Sequence, residues 1–355
     1  MWRTDGTWTG ASRNSNGMVE PVKEPEDATS SGHRHVSPQA ALEGGTLGEQ
    51  LTPLLRQACN GRLGSVAWFK ADWQRGGART GKALYRDDEK GEVSVIVKIP
   101  VGPKELLWNR RMQPCAIDGY GVTARLYASD EELGSYDLAW LVMERFAKGP
   151  LLHLIRDDSI DLMADAAARF YRIGRQYPVE GACRKEDWGE LLEKARANCS
   201  TNHVAHAAHW AEMIRKLQKS VRRIGQEWDG RACQDWCHGD LHLANCMSRS
   251  DRPEDPAMLI DLAEVHVGHW VEDAVYLERL FWARREYIAR HPPVKLIGAR
   301  RRDLGLPDDP QAGRLADIRR ALLAGTAPAF MRSEGNPRYL DACLGMLDEA
   351  LPRIK

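Results

Sequence analysis

The sequence has no apolar run approaching the ~18 residues that a membrane-spanning helix needs, and its longest apolar runs, such as residues 138–143, are of strand length. It also has no net charge, because 50 Lys and Arg residues balance 50 Asp and Glu residues. No overall field therefore attracts nucleic acid or an anionic membrane. Residues 1–10 lead into no apolar segment of the kind found in secretory signals. We expect a cytoplasmic protein with neither nucleic acid nor membrane as a partner.

Paired cysteines at metal-binding spacing are also absent, since the eight cysteines include no CxxC. Their scatter favours reduced thiols. One near miss for a zinc module, C-x3-C-x4-H-x3-C, is formed by Cys233, Cys237, His242 and Cys246. This is the weaker interpretation, because zinc modules of this kind are usually rich in glycine and polar residues, whereas Trp236, Leu241 and Leu243 indicate a buried loop.

The chain divides by composition into three parts. Residues 1–45 have few periodic apolar positions and are predicted to be a disordered tail. Residues 46–146 open with a short helix and then predict strands at 65–69, 82–86, 93–99, 122–127 and 138–143, with a second helix at 104–112. Residues 147–355 predict a hairpin at 245–248 and 258–261, and helices at 162–177, 188–197, 203–228, 271–289, 312–324 and 339–351. The pattern predicts an α+β fold, with strands first and helices after.

Three polar residues lie on or beside short apolar strands where packing alone does not require them. Asp240 and Asn245 are five residues apart in one loop, and Asp261 is the last residue of the second strand of the predicted hairpin. Phosphoryl transfer needs such a set: one carboxylate that orients or deprotonates a hydroxyl, and an amide and a second carboxylate that hold Mg²⁺. The competing interpretation is that Asp240 and Asn245 are turn or helix-cap residues.

The order of these elements is similar to the catalytic and metal-binding segments of protein kinases. The run His238-Gly239-Asp240-Leu241-His242, with Asn245 and then Ile260-Asp261, resembles the aminoglycoside phosphotransferase and choline kinase family. The resemblance implies a bilobal protein-kinase-like fold, with an N-lobe over residues 46–146 that holds the nucleotide and a helical C-lobe over residues 147–355. It also implies ATP or GTP with Mg²⁺, and a small molecule whose hydroxyl group accepts the phosphoryl group. In this family's pattern Asp240 is the catalytic base, and Asn245 and Asp261 are the magnesium ligands.

The resemblance also implies residues that bind the nucleotide. Lys98, at the end of Val-Ile-Val-Lys, matches the third-strand lysine that pairs with the phosphates. By itself it would be interpreted as a solvated lysine on an edge strand. Glu105 is the candidate partner of Lys98, or else an acid that complements the dipole of its helix. The loop at residues 76–81, with Thr80, is expected to cover the phosphates through backbone amides.

Further site residues follow from the same resemblance. Glu144 and Phe146 fall in the hinge whose backbone would bind the adenine edge, and Glu264 is a candidate contact for the acceptor. Asp273 resembles the aspartate that supports the catalytic loop without doing chemistry.

The identity of the acceptor stays open. Residues 262–355 contain 13 acids and 15 Lys and Arg residues, which gives no support for a polycationic acceptor such as an aminoglycoside. A sugar, an amino alcohol or a nucleoside is equally admissible. The alternative function is a catalytically silent kinase-like module that binds nucleotide and acts through a partner. Phosphorylation of proteins is disfavoured, because no Ala-Pro-Glu segment follows Asp261.

Overall fold

The computed structural model describes residues 47–69, 79–113, 121–250 and 255–355. These residues belong to two compact units, the first made of the chain up to Val101 together with Tyr127–Met143, the second of Gly102–Leu126 and Glu144–Lys355. The predicted tail at residues 1–45 lies outside the described residues. Within the described ranges, no helix combines the length and the apolar character that a membrane crossing requires.

A five-stranded sheet dominates the first unit and follows helix α1 (Leu47–Ala58). Its strands are β1 (Ala67–Phe69), β2 (Arg79–Asp87), β3 (Gly91–Ile99), β4 (Leu126–Asp130) and β5 (Trp140–Glu144), in the spatial order β1-β2-β3-β5-β4. Every second residue at the end of β3 is buried (Val95, Val97 and Ile99), and these pack in one core with Leu51 and Leu55 of α1. The period of two that predicts a strand therefore also directs one face of β3 into the core.

The structure corrects two predicted boundaries of strands in the five-stranded sheet. Arg79, Thr80 and Gly81 were predicted to form a loop, but they begin β2, and Thr80 lies directly opposite Lys98 in the register of β2 and β3. The strand predicted at 122–127 begins only at Leu126. Before it, Thr123 makes an isolated bridge to Leu259.

Helices dominate the second unit. They are α2 (Pro103–Arg111), α3 (Ser159–Gly174), α4 (Trp188–Thr201), α5 (Ala207–Gln218), α6 (Val221–Asp229), α7 (Val271–Arg279), α8 (Arg285–Arg290), α9 (Pro293–Asp303), α10 (Ala312–Thr326), α11 (Met331–Glu334) and α12 (Pro337–Ala350). Two short antiparallel strand pairs accompany them: β6 (Asp235–Cys237) with β9 (His266–Gly268), and β7 (Cys246–Met247) with β8 (Met258–Leu259). The predicted α+β architecture, a strand-rich part followed by a mainly helical part, is confirmed.

Two predicted helices are each divided in the structure. The single helix predicted at 203–228 is wrong, because this segment forms two helices, α5 and α6. Before α5 starts, His203 and His206 adopt positive φ values of 49° and 59°. The helix predicted at 271–289 ends as α7 at Arg279, and the following turn buries Phe281 and Trp282. Burial of these two large rings stabilises the turn that interrupts the helical pattern.

Candidate active site

The loop at residues 238–245 connects β6 to β7, and the turn at residues 260–265 connects their partners β8 and β9. The strand at each end of the loop is therefore paired with the strand at one end of the turn. These short strands lie in the interior, which favours apolar residues in them. Cys237, Cys246 and Leu259 have no exposed surface. This pairing brings the motif that contains Asp240 and Asn245 next to the motif that contains Asp261.

Asp273 on α7 holds the start of the loop. Its carboxylate accepts the backbone N–H groups of His238 at 2.7 Å and Gly239 at 2.8 Å, and the hydroxyl of Tyr171 at 3.0 Å. Burial raises the pKa of Asp273, and the hydrogen bonds from the two backbone groups oppose that rise. The supporting role that the resemblance implies for Asp273 is confirmed by these contacts.

His238 connects the loop to the turn. Its Nε2 donates to the carbonyl of Ile260 at 3.0 Å, and its Nδ1 accepts the backbone N–H of Asp240 at 3.3 Å. Complete burial lowers the pKa of His238, which matches a neutral ring with its proton on Nε2. Because Ile260 also donates its N–H to the carbonyl of Asn245 at 2.9 Å, Asp261 begins its turn beside the loop.

Gly239 is required by a close approach between the loop and the turn. Its φ is +83°, and a Cβ added there would lie 2.2 Å from the carbonyl oxygen of Glu264. Any other residue would be strained in this conformation and would push the loop away from the turn. The motif therefore has glycine between His238 and Asp240 because the two segments touch at this point.

Three side chains hold the carboxylate of Asp240. Tyr276 donates its hydroxyl to Oδ1 at 2.6 Å, Asn245 donates Nδ2 to Oδ2 at 3.0 Å, and His242 Nε2 lies 3.2 Å from Oδ2. Burial alone would raise the pKa of Asp240, but the contacts with His242 and Tyr276 outweigh burial and hold the pKa below its usual range. Asp240 is therefore an ionised, oriented carboxylate at neutral pH.

Tyr276 is a site residue that the motif analysis missed. It lies three residues after Asp273 on α7, and the guanidinium of Arg279 lies 4.3 Å from the centre of its ring. Residues three apart share one face of a helix. Once Asp273 is placed against the loop, this spacing is the signal in the sequence that could have identified Tyr276.

The family model that matches this chain is that of the phosphotransferase enzyme family, and it covers residues 81–326. The chain belongs to the phosphotransferase enzyme family. The family resemblance that the motifs predicted is thus confirmed. No curated protein matches the chain.

Solved structures of similar fold include phosphotransferases. A candidate aminoglycoside phosphotransferase from Ralstonia eutropha superposes with a TM-score of 0.51 at 17% identity, covering 86% of this chain and 98% of that one. A thermostable aminoglycoside phosphotransferase mutant, solved with AMP-PNP and hygromycin B, gives 0.50 at 10% identity, with 85% and 98% covered. A choline/ethanolamine kinase family protein from Mesorhizobium loti gives 0.49 at 13% identity, with 86% and 96% covered.

The other predicted residues of this phosphotransferase lie in both units. Lys98 is on β3, which lies between β2 and β5, so the interpretation of Lys98 as an edge-strand lysine is wrong. Glu105 is 4% exposed in the first turn of α2. Its pairing with Lys98 stays a prediction, as does contact of Thr80 with phosphates.

Glu144, Phe146 and Glu264 have partners within the helical unit. Arg249 donates to both carboxylate oxygens of Glu144 at 2.9 and 2.8 Å, and its guanidinium lies 5.6 Å from the centre of the Phe146 ring. The backbone N–H of Glu144 donates to the carbonyl of Arg125 at 2.7 Å. Glu264 pairs with Arg184 at 3.1 Å on the surface. The carboxylate of Glu144 therefore serves a local ion pair, and that of Glu264 is matched by a positive charge.

The cysteine prediction needs correction. Cys183 and Cys233 form a disulfide, with Cα atoms 6.0 Å apart. The prediction of reduced thiols is therefore wrong for these two cysteines. Because Cys233 is in the disulfide, it cannot serve in the zinc site considered for Cys233, Cys237, His242 and Cys246. His242 is instead directed at Asp240. The zinc interpretation is wrong.

Cys237, His266 and Glu272 have potential metal-ligand atoms within 4.8 Å of one another, but charge argues against a cation there. Glu272 accepts from Arg231 at 3.0 Å and from the backbone N–H of His269 at 2.8 Å. The Arg231 side chain is fully buried, so its charge would repel a metal ion in a poorly screened environment. Burial would raise the pKa of Glu272, but contacts with His266 and Arg231 lower it to about 2. These contacts make the cluster an internal ion-pair network.

The donor set next to Asp240 suits Mg²⁺ better. The Nδ2 of Asn245 donates to both the carbonyl and the carboxylate of Asp240. The remaining ligand atom of Asn245 is therefore its amide oxygen, and Asp261 supplies a carboxylate. Hard oxygen ligands of these two kinds are those that Mg²⁺ prefers, so the residues fit the ion that the fold family implies.

Proposed function

We propose that this protein is an ATP-dependent phosphotransferase that moves the γ-phosphoryl group of ATP to a hydroxyl group of a small molecule. The observation that carries the proposal is the state of Asp240: a carboxylate held by Tyr276, Asn245 and His242, with its pKa below the usual range. A group that must orient a hydroxyl and take its proton has to be ionised and fixed in direction. Asp240 meets both requirements.

Asp240 would bind and orient the acceptor hydroxyl. Each carboxylate oxygen has two lone pairs, so Oδ1 can accept the acceptor hydroxyl in addition to Tyr276. As the hydroxyl oxygen attacks phosphorus and the bond to the ADP oxygen breaks, Asp240 takes the hydroxyl proton. Catalysis would consist of positioning and charge stabilisation, as in phosphoryl transfer generally.

Asn245 and Asp261 would hold Mg²⁺, whose charge, when bound, would neutralise the phosphates. Lys98 would pair with the α- and β-phosphates, with Glu105 as its partner, and the backbone at Thr80 would contact the phosphates. Backbone groups near Glu144 and Phe146 would bind the adenine edge. Support for ATP as the nucleotide comes from the structurally similar phosphotransferase that was solved with AMP-PNP. GTP is the alternative nucleotide.

The charges near the site favour an acceptor that is not a polycation. Glu264, the predicted contact for the acceptor, is matched by Arg184 at 3.1 Å, and Glu272 is matched by buried Arg231. An enzyme that holds a polycation needs carboxylates that are not already neutralised. We therefore place sugars, amino alcohols and nucleosides before aminoglycosides, although one similar structure contains hygromycin B.

The test is mass spectrometry of a pooled library of hydroxylated metabolites and aminoglycosides, incubated with Mg-ATP and either wild type or Asp240→Asn. A product that gains one phosphoryl group with wild type alone would support the proposal and identify the acceptor. ATP binding without any product, across a library that includes each class named above, would contradict it and favour the silent module.

Asp261→Ala tests the metal assignment separately. We expect this variant to lose Mg²⁺-dependent ATP binding, measured by calorimetry, because it lacks one of the two predicted ligands. Asp348→Ala is a suitable control, since Asp348 is a surface carboxylate paired with His209. Wild-type ATP affinity in Asp261→Ala would show that Asp261 is not a magnesium ligand.

A further inference from the structure

One arginine outside the catalytic motif holds a side chain of the predicted hinge. Glu144 is the last residue of β5, and Arg249 lies two residues after the end of β7. Nε and Nη2 of Arg249 donate to the two carboxylate oxygens of Glu144 at 2.9 and 2.8 Å. Two parallel hydrogen bonds of this kind fix the orientation of a carboxylate as well as its position. Arg249 therefore sets the direction of the Glu144 side chain.

The same guanidinium also contacts the other residue of the predicted hinge, Phe146. It lies 5.6 Å from the centre of the Phe146 ring, and Phe146 is buried. A cation at this distance over an aromatic ring is attracted by the negative face of the ring. Glu144 and Phe146 are the two residues whose backbone groups are predicted to bind the adenine edge. The side chain of Arg249 thus holds both of them.

Arg125, just before β4, contacts Glu144 through the backbone. The N–H of Glu144 donates to the carbonyl of Arg125 at 2.7 Å, and the N–H of Arg125 donates to Glu144 Oε2 at 3.2 Å. The backbone contact at the N–H of Glu144 does not involve Arg249. Loss of the Arg249 side chain would therefore release the carboxylate of Glu144 and the ring of Phe146 while the end of β5 stays in place.

Backbone contacts place Arg249 beside the hinge without help from its own side chain. The N–H of Ser248 donates to the carbonyl of Gly149 at 3.4 Å, and Met247 forms an isolated bridge with Pro150. These contacts would remain if the guanidinium were removed. The structure therefore separates two roles: the backbone keeps the segments together, and the Arg249 side chain orders the hinge.

We infer that Arg249 is a positioning residue that orders the hinge for the nucleotide base. The inference rests on the proposed function, from which it takes adenine binding by the hinge backbone. Arg249 acts through Glu144 and Phe146, which it fixes before the nucleotide binds. Ordering these groups in advance lowers the entropic cost of binding. Arg249 therefore raises the affinity for the base and leaves the contacts with phosphates and Mg²⁺ unchanged.

Calorimetry on the full chain tests the inference with two ligands, Mg-ATP and Mg-tripolyphosphate, which has the phosphates of ATP but no base. Arg249→Met should raise the Kd for Mg-ATP about tenfold and keep that for Mg-tripolyphosphate within about twofold of wild type. An unchanged Kd for Mg-ATP, or equal losses for the two ligands, would overturn this inference alone. Wild type that does not bind Mg-ATP would contradict the proposed function, and this inference with it.

Two further variants separate positioning from charge. Arg249→Lys keeps the positive charge but lacks the planar fork that makes two parallel hydrogen bonds, so it should lose affinity for Mg-ATP as Arg249→Met does. In a Glu144→Gln background, Arg249→Met should cause much less further loss, because residues in contact do not act additively. Wild-type affinity in Arg249→Lys, or an equal loss from Arg249→Met in both backgrounds, would overturn the inference.

Arg314→Met is the matched control. Nε and Nη2 of Arg314 donate to the two carboxylate oxygens of Glu227 at 3.0 and 3.2 Å, and this pair is partly exposed, like that of Arg249 and Glu144. It joins α10 to α6 and not to the hinge. Its loss should lower the melting temperature and leave the Kd for Mg-ATP unchanged. An equal loss of Mg-ATP affinity in Arg314→Met would overturn the inference, because removal of any such pair would then have this effect.

Discussion

The five-stranded sheet and the loop at residues 238–245 both contain predicted site residues, but they hold them by different means. In the sheet, Lys98 is placed by strand register, opposite Thr80 on the neighbouring strand. In the loop, Asp240 is placed by side chains that come from elsewhere, above all Tyr276 and, through the backbone, Asp273 on α7. A side-chain change should therefore act locally in the sheet, whereas a change in the loop should disturb several functional groups at once.

Among the variants that test this comparison, Gly239→Ala should have the largest effect on turnover. The added Cβ would collide with the carbonyl of Glu264, and the loop with Asp240 would have to move. A displacement of about 1 Å at a catalytic group typically costs about 100-fold in rate, so we expect turnover to fall by about that factor or more. Steady-state kinetics on the acceptor found by the library screen measures it.

Gly305→Ala is the matched control for this variant. Gly305 also has a positive φ, +70°, but a Cβ there would meet nothing within 4 Å. This control should lose about 1 kcal/mol of stability from backbone strain alone and keep its turnover. Equal losses of turnover in the two variants would show that the contact between Gly239 and Glu264 has no special role.

Lys98→Met tests the sheet side of the comparison. Loss of a charged hydrogen bond to phosphate, worth about 1.5–3 kcal/mol, should weaken ATP binding by about 10- to 100-fold. The fold should stay as stable as wild type, because register and the buried face of β3 do not depend on this side chain. Calorimetry with ATP and thermal unfolding measure the two quantities. Lys90→Met, in the exposed turn between β2 and β3, should change neither, and a similar loss in both variants would contradict the assignment.

Tyr276→Phe should have the smallest effect on rate and a specific effect on pH dependence. Loss of one hydrogen bond to Asp240 should lower kcat/KM by about tenfold. That hydrogen bond helps to keep the pKa of Asp240 below its usual range, whereas burial raises it. Removing the bond should raise the pKa, so activity should begin to fall at a higher pH as the solution is acidified. Tyr287→Phe, whose hydroxyl donates to the carbonyl of Arg156, serves as control; identical pH profiles for Tyr276→Phe and wild type would refute this role.

The difference between placement by local strand register and placement by distant side chains also explains which features could be predicted from the sequence. Strand β3, helix α2 and the hairpin around Asp261 were predicted because alternating or helical apolar patterns are local properties of the chain. The motif with Asp240, Asn245 and Asp261 was predicted because its spacing resembles that of a known family. Tyr276, the disulfide between Cys183 and Cys233, and the division of residues 203–228 into two helices depend on contacts between distant segments, which periodicity does not report.

Asp240→Asn tests the central claim most directly when turnover and ATP affinity are measured on the same preparation. The side chain keeps its shape but can no longer take a proton, and a positioned general base contributes about 10²- to 10⁴-fold. We expect turnover of the identified acceptor to fall within that range while the Kd for Mg-ATP stays within about twofold of wild type. Turnover within tenfold of wild type would contradict the account, because Asp240 would then not be the base.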